Sequence, residues 1–125
     1  MLFVCYTKCS TCADAQRWLD DHGIPHAARD IKADRPTLEE LRLWIKRSGL
    51  PLKRFFNTSG LAYRALGLKE KLPTMQEEEQ LRLLASDGML VKRPLLIGED
   101  FVLVGFQPVL WEQTLLNRQK EPNAF

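Results

Sequence analysis

Long apolar runs are missing from this 125-residue chain. The runs present, such as Phe101-Val102-Leu103-Val104, are a handful of residues, far short of the roughly 20 that a membrane-spanning helix requires. The start, Met1-Leu2-Phe3-Val4-Cys5-Tyr6-Thr7, lacks a basic segment and a long apolar one, which argues against a secretory signal. A charge imbalance is missing too. The 18 Lys and Arg against 16 Asp and Glu leave +2, so bulk electrostatics gives no case for nucleic-acid binding. No low-complexity block or repeat period is visible. Histidine is scarce: His22 and His26 flank Gly23-Ile24-Pro25 and read as turn and surface residues. Cysteine is scarce as well, and Cys5, Cys9 and Cys12 all lie in the first tenth of the chain. A disulfide framework would spread cysteines to close long loops. A tetrahedral zinc site needs four ligands, and no second Cys-x-x-Cys exists to complete one. The rest is ordinary: 45% hydrophobic, 27% charged and one-domain in length. Such a chain buries about two thirds of its unfolded surface without help from a metal or a crosslink.

The segment Leu2–Tyr6 is short, apolar and β-rich, and reads as a buried strand. Cys12, Ala15, Gln16, Leu19 and His22 then recur at helical spacing beside Trp18, and Gly23 supplies a stop. Ile24–Ile31 reads as a second strand, so a short strand–helix–strand unit implies a parallel pair with a crossover helix. The middle is helical. Thr37-Leu38-Glu39-Glu40 has capping-box spacing before Leu41, Trp44 and Ile45, and Gly49-Leu50-Pro51 ends that helix. Thr58 or Ser59 is the expected cap of a short helix carrying Leu61, Ala62, Ala65 and Leu66, with Gly67 as its stop. Thr74-Met75-Gln76-Glu77 repeats the box ahead of Leu81, Leu84 and Ala85, stopped at Gly88. These stripes, Trp44 included, read as core packing. Arg93–Ile97 and Phe101–Val104 form a hairpin around Gly98-Glu99-Asp100. Pro108 opens a last helix holding Val109, Leu110, Leu115 and Leu116. The order β-α-β, helical block, β-β-α predicts one α/β domain over 1–117, an insertion at about 35–90 between the second and third strands, and a polar, loose tail over 118–125.

Cys9-Ser10-Thr11-Cys12 sits where the first loop becomes a helix. Two intervening residues put both thiols on one side of the first helical turn, the first facing solvent and the second beneath it. Attack on a disulfide or an oxidised substrate requires a thiolate, and a thiol of pKa about 8.5 is only about 3% ionised at neutral pH. Lowering that pKa by two units needs about 2.7 kcal/mol, while a helix dipole supplies about 0.3–1. The remainder must come from the amides of Ser10, Thr11 and Cys12 and from a cation. Lys8, Arg64 and Arg93 are the candidates, and Arg93, just before Pro94 at a strand start, is best placed. Ser10 and Thr11 also suit ordinary N-cap positions. Cys5, within a strand, is most simply a small buried hydrophobe.

Tyr6-Thr7-Lys8-Cys9-Ser10-Thr11-Cys12, the Trp18-Leu19 helix with Gly23-Ile24-Pro25, Lys92-Arg93-Pro94-Leu95-Leu96-Ile97 and Val104-Gly105-Phe106 together resemble the arsenate reductase/Spx family (ArsC, Spx and MgsR) of thioredoxin-like proteins. The resemblance runs over nearly the whole chain, to about the last helix. It implies a thioredoxin-like, glutaredoxin-type βαβ-ββα core with a helical insertion, and a cis bond at Pro94 facing the cysteines. In the glutaredoxin-coupled arsenate reductases one cysteine attacks arsenate and three arginines hold the oxyanion. Cys9 matches that nucleophile and Arg93 one arginine. Asn57 and Gly105 stand at the other two positions, and the position of Cys12 is usually not a cysteine in those enzymes. Spx and its relatives share both cysteines, the Arg-Pro pair and the Gly-aromatic step, and use the pair as a redox switch in a domain that contacts RNA polymerase.

The expectation is a cytoplasmic thiol–disulfide oxidoreductase resembling arsenate reductase. Cys9 is the nucleophile, Cys12 the resolving thiol and Arg93 the anion-stabilising group, with Ser10, Thr11 and Pro94 shaping the substrate site. No bound cofactor or metal is expected; glutathione, glutaredoxin or thioredoxin would supply electrons. The rival expectation is a redox-sensing regulator that binds the RNA polymerase alpha subunit, with no direct contact to nucleic acid or membrane. A third reading makes the cysteines mere core residues.

Overall fold

The computed structural model describes residues 1–119. Strand β1 (Leu2–Cys5) leads through a short loop into helix α1 (Ser10–Asp21), and β2 (Ala27–Asp30) returns beside β1. The helical block holds α2 (Leu38–Ser48), α3 (Leu61–Ala65), α4 (Leu68–Lys71) and α5 (Glu77–Ser86), with 3-10 turns at Leu52–Phe55, Leu72–Thr74 and Gly88–Leu90. The hairpin β3 (Leu95–Ile97) and β4 (Val102–Val104) precedes α6 (Pro108–Gln119). The sheet order is β2-β1-β3-β4, with β1 and β2 parallel and the other pairs antiparallel. This is the expected thioredoxin-like α/β arrangement, its helices inserted between the second and third strands.

Period-two alternation sorts the strand side chains into two cores. Phe3, Leu96 and Leu103 pack with Ala15 and Leu19 of α1 and Trp111 and Leu115 of α6. Their neighbours Val4, Leu95, Ile97, Val102 and Val104 face the other way, against Leu41, Trp44, Phe55, Leu81 and Leu84 of the insertion. Both faces of the sheet are therefore covered by helices, which is why β3 and β4 are apolar at every position.

Several local expectations give way to tertiary context. The second strand begins only at Ala27; Ile24 is buried against α1, its amide bonded to the Leu19 carbonyl at 3.0 Å. Thr37 and Glu40 form the capping box, but Thr74 does not. Its hydroxyl donates to the Lys71 carbonyl at 2.6 Å, and Gln76 precedes α5 without a side-chain cap. Gly60, rather than Thr58 or Ser59, precedes α3. The α3 stripe is not core either, since Leu61 is 83% exposed and Leu66 43%. In α6 the buried face is Trp111 and Leu115, leaving Val109 at 69% exposure, because the indole fills the α1-side core. Gly88 follows the α5 cap Asp87 and opens a 3-10 turn. A Cβ there would lie 1.9 Å from the Ile31 carbonyl oxygen, so only glycine admits this close approach. Helix α6 runs to Gln119, into the stretch expected as tail; the remainder of that expected tail lies outside the described residues.

Candidate active site

The loop after β1 closes when the Cys9 amide donates to the Tyr6 carbonyl at 3.1 Å. This leaves Cys9 with extended dihedrals at the N-cap of α1. Its sulfur accepts the Cys12 amide at 3.4 Å, the place that a Ser or Asp oxygen usually takes. Cys9 itself, rather than Ser10 or Thr11, is thus the cap. Those two occupy the first helical positions and are exposed. The two-residue spacing makes Cys12 the third helical residue, whose amide a cap side chain reaches. Cys12 is buried, and its sulfur accepts the Tyr6 amide at 3.3 Å.

The three thiols differ in acidity. Burial alone would push Cys9 up, but hydrogen bonds from the amide and thiol of Cys12, with the charge and a hydrogen bond of Arg93, bring it below the usual thiol value. Cys12 is pushed up to about 12, first by burial and then by its bond to Cys9 and the neighbouring thiolates; the Tyr6 amide offsets this only in part. Cys5, half-buried in β1, is also raised, by burial, Asp30 and Cys9. One thiolate beside one protonated thiol is the arrangement in which the second sulfur stabilises the first by donating to it.

Arg93 and Pro94 are joined by a cis peptide bond. The Pro94 carbonyl accepts the Gly105 amide at 2.8 Å, tying this segment to the end of β4. The Arg93 guanidinium lies 5.3 Å from the centre of the Tyr6 ring. Its Nε and Nη1 are buried and have no hydrogen-bond partner among the described residues. A buried guanidinium with idle donors is costly unless an anion completes it.

Cys9 and Arg93 open onto a cleft of about 630 Å³ also lined by Thr11, Lys53, Arg54, Asn57, Thr58, Ser59, Lys92, Gly105 and Phe106. A short backbone ladder builds its far wall. The Asn57 amide donates to Leu90 and the Lys92 amide to Phe55, both at 2.7 Å. Trp111 supports the near wall by donating from Nε1 to the Gly105 carbonyl at 3.1 Å, with Phe106 edge-on at 5.0 Å.

Of the expected site residues, the structure brings Cys9, Cys12, Arg93 and Thr11 together and places Pro94 behind them; Ser10 does not line the cleft. Of the other candidate cations, Lys8 and Arg64 are exposed and outside it. Asn57 and Gly105 do lie on the cleft, and neither brings a charge. Lys53, Arg54 and Lys92 were not foreseen. Their signal was two basic dipeptides, Lys53-Arg54 before Phe55-Phe56 and Lys92-Arg93 before Pro94. His26 departs from a surface role: its ring is half-buried, bonded to Gln16 at 2.7 Å and the Ile24 carbonyl at 2.8 Å. His22 is exposed, stacked on Trp18.

Residues 5–114 match the ArsC family. The chain is 50% identical over 113 residues to the uncharacterized protein YusI of Bacillus subtilis, covering 90% of this chain and 96% of that one. It is 26% identical over 108 residues to the regulatory protein MgsR of the same organism, covering 86% and 84%. A crystal structure of an ArsC family related protein from Bacteroides fragilis superposes with a TM-score of 0.88 at 57% identity, covering 90% of this chain and 94% of the other. One described as a "possible arsenate reductase" from Streptococcus mutans UA159 gives 0.78 at 50% identity, covering 85% and 90%.

Proposed function

The chain belongs to the ArsC family, and within it we propose a thiol–disulfide oxidoreductase that uses Cys9 and Cys12 as a redox pair. The observation that carries this reading is the Cys9 sulfur held at the cap of α1, below the usual thiol pKa, with the protonated Cys12 donating to it. The Cys9 thiolate attacks one sulfur of a substrate disulfide, and the other sulfur leaves with the bonding pair and takes a proton. The Cys12 thiol then gives up its proton and attacks the Cys9 sulfur, releasing the second substrate thiol. The protein ends as a Cys9–Cys12 disulfide, and two electrons have passed to the substrate. A thiol donor (glutathione, glutaredoxin or thioredoxin) returns the pair to its reduced form, in a reducing cytoplasmic compartment.

Arsenate fits this site less well than a disulfide. Asn57 and Gly105 supply no cation where the family resemblance places two oxyanion arginines, and each charged hydrogen bond forgone is worth about 1.5–3 kcal/mol. Two assays run side by side test the proposal: arsenate reduction with glutathione and glutaredoxin, and reduction of a small disulfide. Turnover is expected in the second and not in the first. No reaction in either, or alkylation of Cys9 by iodoacetamide with the pH midpoint of a free thiol, overturns it.

The likeness to the regulatory protein MgsR supports a second reading, a redox-switched partner of RNA polymerase. Recovery of polymerase by the oxidised protein alone, without catalytic turnover, would favour it over the first.

A further inference from the structure

Four cations, Lys53, Arg54, Lys92 and Arg93, line the cleft in front of Cys9, and no Asp or Glu among the described residues lines it. The chain as a whole carries 18 basic and 16 acidic residues, so this one-sided wall is a local choice and not a consequence of net charge. Two independent features bring it about. The ladder between Asn57 and Leu90 and between Lys92 and Phe55 places the two basic dipeptides on one side of the cleft. Gly105, at φ +73°, leaves its side-chain direction empty, and the Lys92 stem passes 3.5 Å from where a Cβ would stand. The buried Nε and Nη1 of Arg93 have no hydrogen-bond partner among the described residues.

We infer that the disulfide this site reduces carries carboxylates within a few residues of the reacting sulfur, and that Lys53, Arg54 and Lys92 select it. The inference rests on the oxidoreductase reading and names its substrate class. Arg93 is taken up with the Cys9 sulfur. The other three cations line the same cleft without acting on the Cys9 sulfur, which leaves them to the substrate's body. A volume of about 630 Å³ holds a few residues of peptide or a small dicarboxylic thiol. Carboxylates there raise the encounter rate and orient the sulfur toward Cys9, whereas a cationic disulfide is repelled.

The reaction uses mixed disulfides with a neutral, coloured leaving group. Cys9 attacks the substrate sulfur, 2-thiopyridone departs with the electron pair and its proton, and Cys12 then displaces the substrate thiol from Cys9. Four substrates are compared: a cysteine peptide flanked by Asp and Glu, the same peptide with Asn and Gln, the same with Lys, and mercaptosuccinate. At low salt the acidic peptide is expected to release thiopyridone at least about tenfold faster than the neutral one, with the Lys peptide slowest, and the advantage to shrink as salt rises. In Lys53→Glu/Lys92→Glu the acidic-to-neutral ratio falls to one or below. In Lys69→Glu/Lys71→Glu, which makes the same change of charge at exposed positions of α4 outside the cleft, the ratio holds. Mercaptosuccinate matching the acidic peptide assigns the site to small acids; lagging at the neutral rate assigns it to peptides. Equal rates for acidic, neutral and Lys peptides overturn the inference while leaving the oxidoreductase reading in place. Rates no faster than free cysteine for every substrate instead defeat that reading.

Discussion

Two regions of this molecule are rich in arginine and lysine, and they differ in one respect. Around α2, Arg29 and Arg42 are answered by carboxylates. Arg29 donates to both Glu40 oxygens at 2.6 and 2.8 Å and lies near Asp34, and Arg42 pairs with Glu78 at 2.8 Å. Around Cys9 the positive charges are not: among the described residues the four cations of the cleft meet no carboxylate, and two buried Arg93 nitrogens lack a hydrogen-bond partner. The first arrangement ties α2 to β2 and α5 by ion pairs. The second carries an electrostatic cost that folding alone does not justify, and it is the cleft onto which Cys9 opens. Pairing, rather than charge content, separates structural cations from those free to meet a ligand.

The contrast can be broken most severely at the sulfur. Cys9→Ser is expected to abolish disulfide exchange, a loss of 10³-fold or so against the parent, read by thiopyridone release; retained activity would place the chemistry elsewhere. Next, Cys12→Ser should still attack but not resolve, so the mixed disulfide accumulates and is visible by mass. It should also raise the Cys9 titration by removing the thiol that donates to it. Arg93→Ala should shift the iodoacetamide midpoint of Cys9 upward and slow exchange at neutral pH. An unmoved midpoint would mean that Cys12 and the helix end suffice.

The paired region should respond in stability and not in chemistry. Glu40 is held at about 2 by its bonds to Arg29, below its unfolded value near 4.3. Its contribution is therefore fully present above that unfolded value and is lost as pH falls through about 2. Because the pair is partly exposed, Glu40→Gln should lower stability at neutral pH by only about 1 kcal/mol. The difference from the parent should shrink below pH 4 and vanish only below about pH 2 in acid denaturation, while Cys9 titrates as before. The smallest effect belongs to Arg42→Ala, whose fully exposed pair with Glu78 should leave the thermal midpoint in place.

The legible parts of the fold were those written in local pattern. The apolar run Phe101–Val104, the box at Thr37–Glu40 and the Gly23 stop each express a short-range rule, and the structure follows them. The departures fall where a competing contact, local or tertiary, outbids the expected one. Thr74 found the Lys71 carbonyl in place of a helix cap, Val109 and Leu110 lost the core to Trp111, and Ser10 and Thr11 yielded the cap to a cysteine. At the site, Cys9, Cys12 and Arg93 could be named because a spacing and a dipeptide mark them. Lys53 and Arg54 could not, since they sit about forty residues from Arg93 and only the ladder through Phe55 and Lys92 brings them near.

The sequence by itself determined that a thiol would stand at the start of a helix, with a second thiol one turn behind it, because two intervening residues and the strand-to-helix switch are properties of a short continuous segment. Tertiary structure alone decided that Arg93 would reach the first thiol and that three further cations would line the cleft before it. Acidity and selectivity depend on what burial removes and what distant charges restore, and those distances are set by how β3, the inserted turn at Leu52–Phe55 and α6 pack around the sulfur.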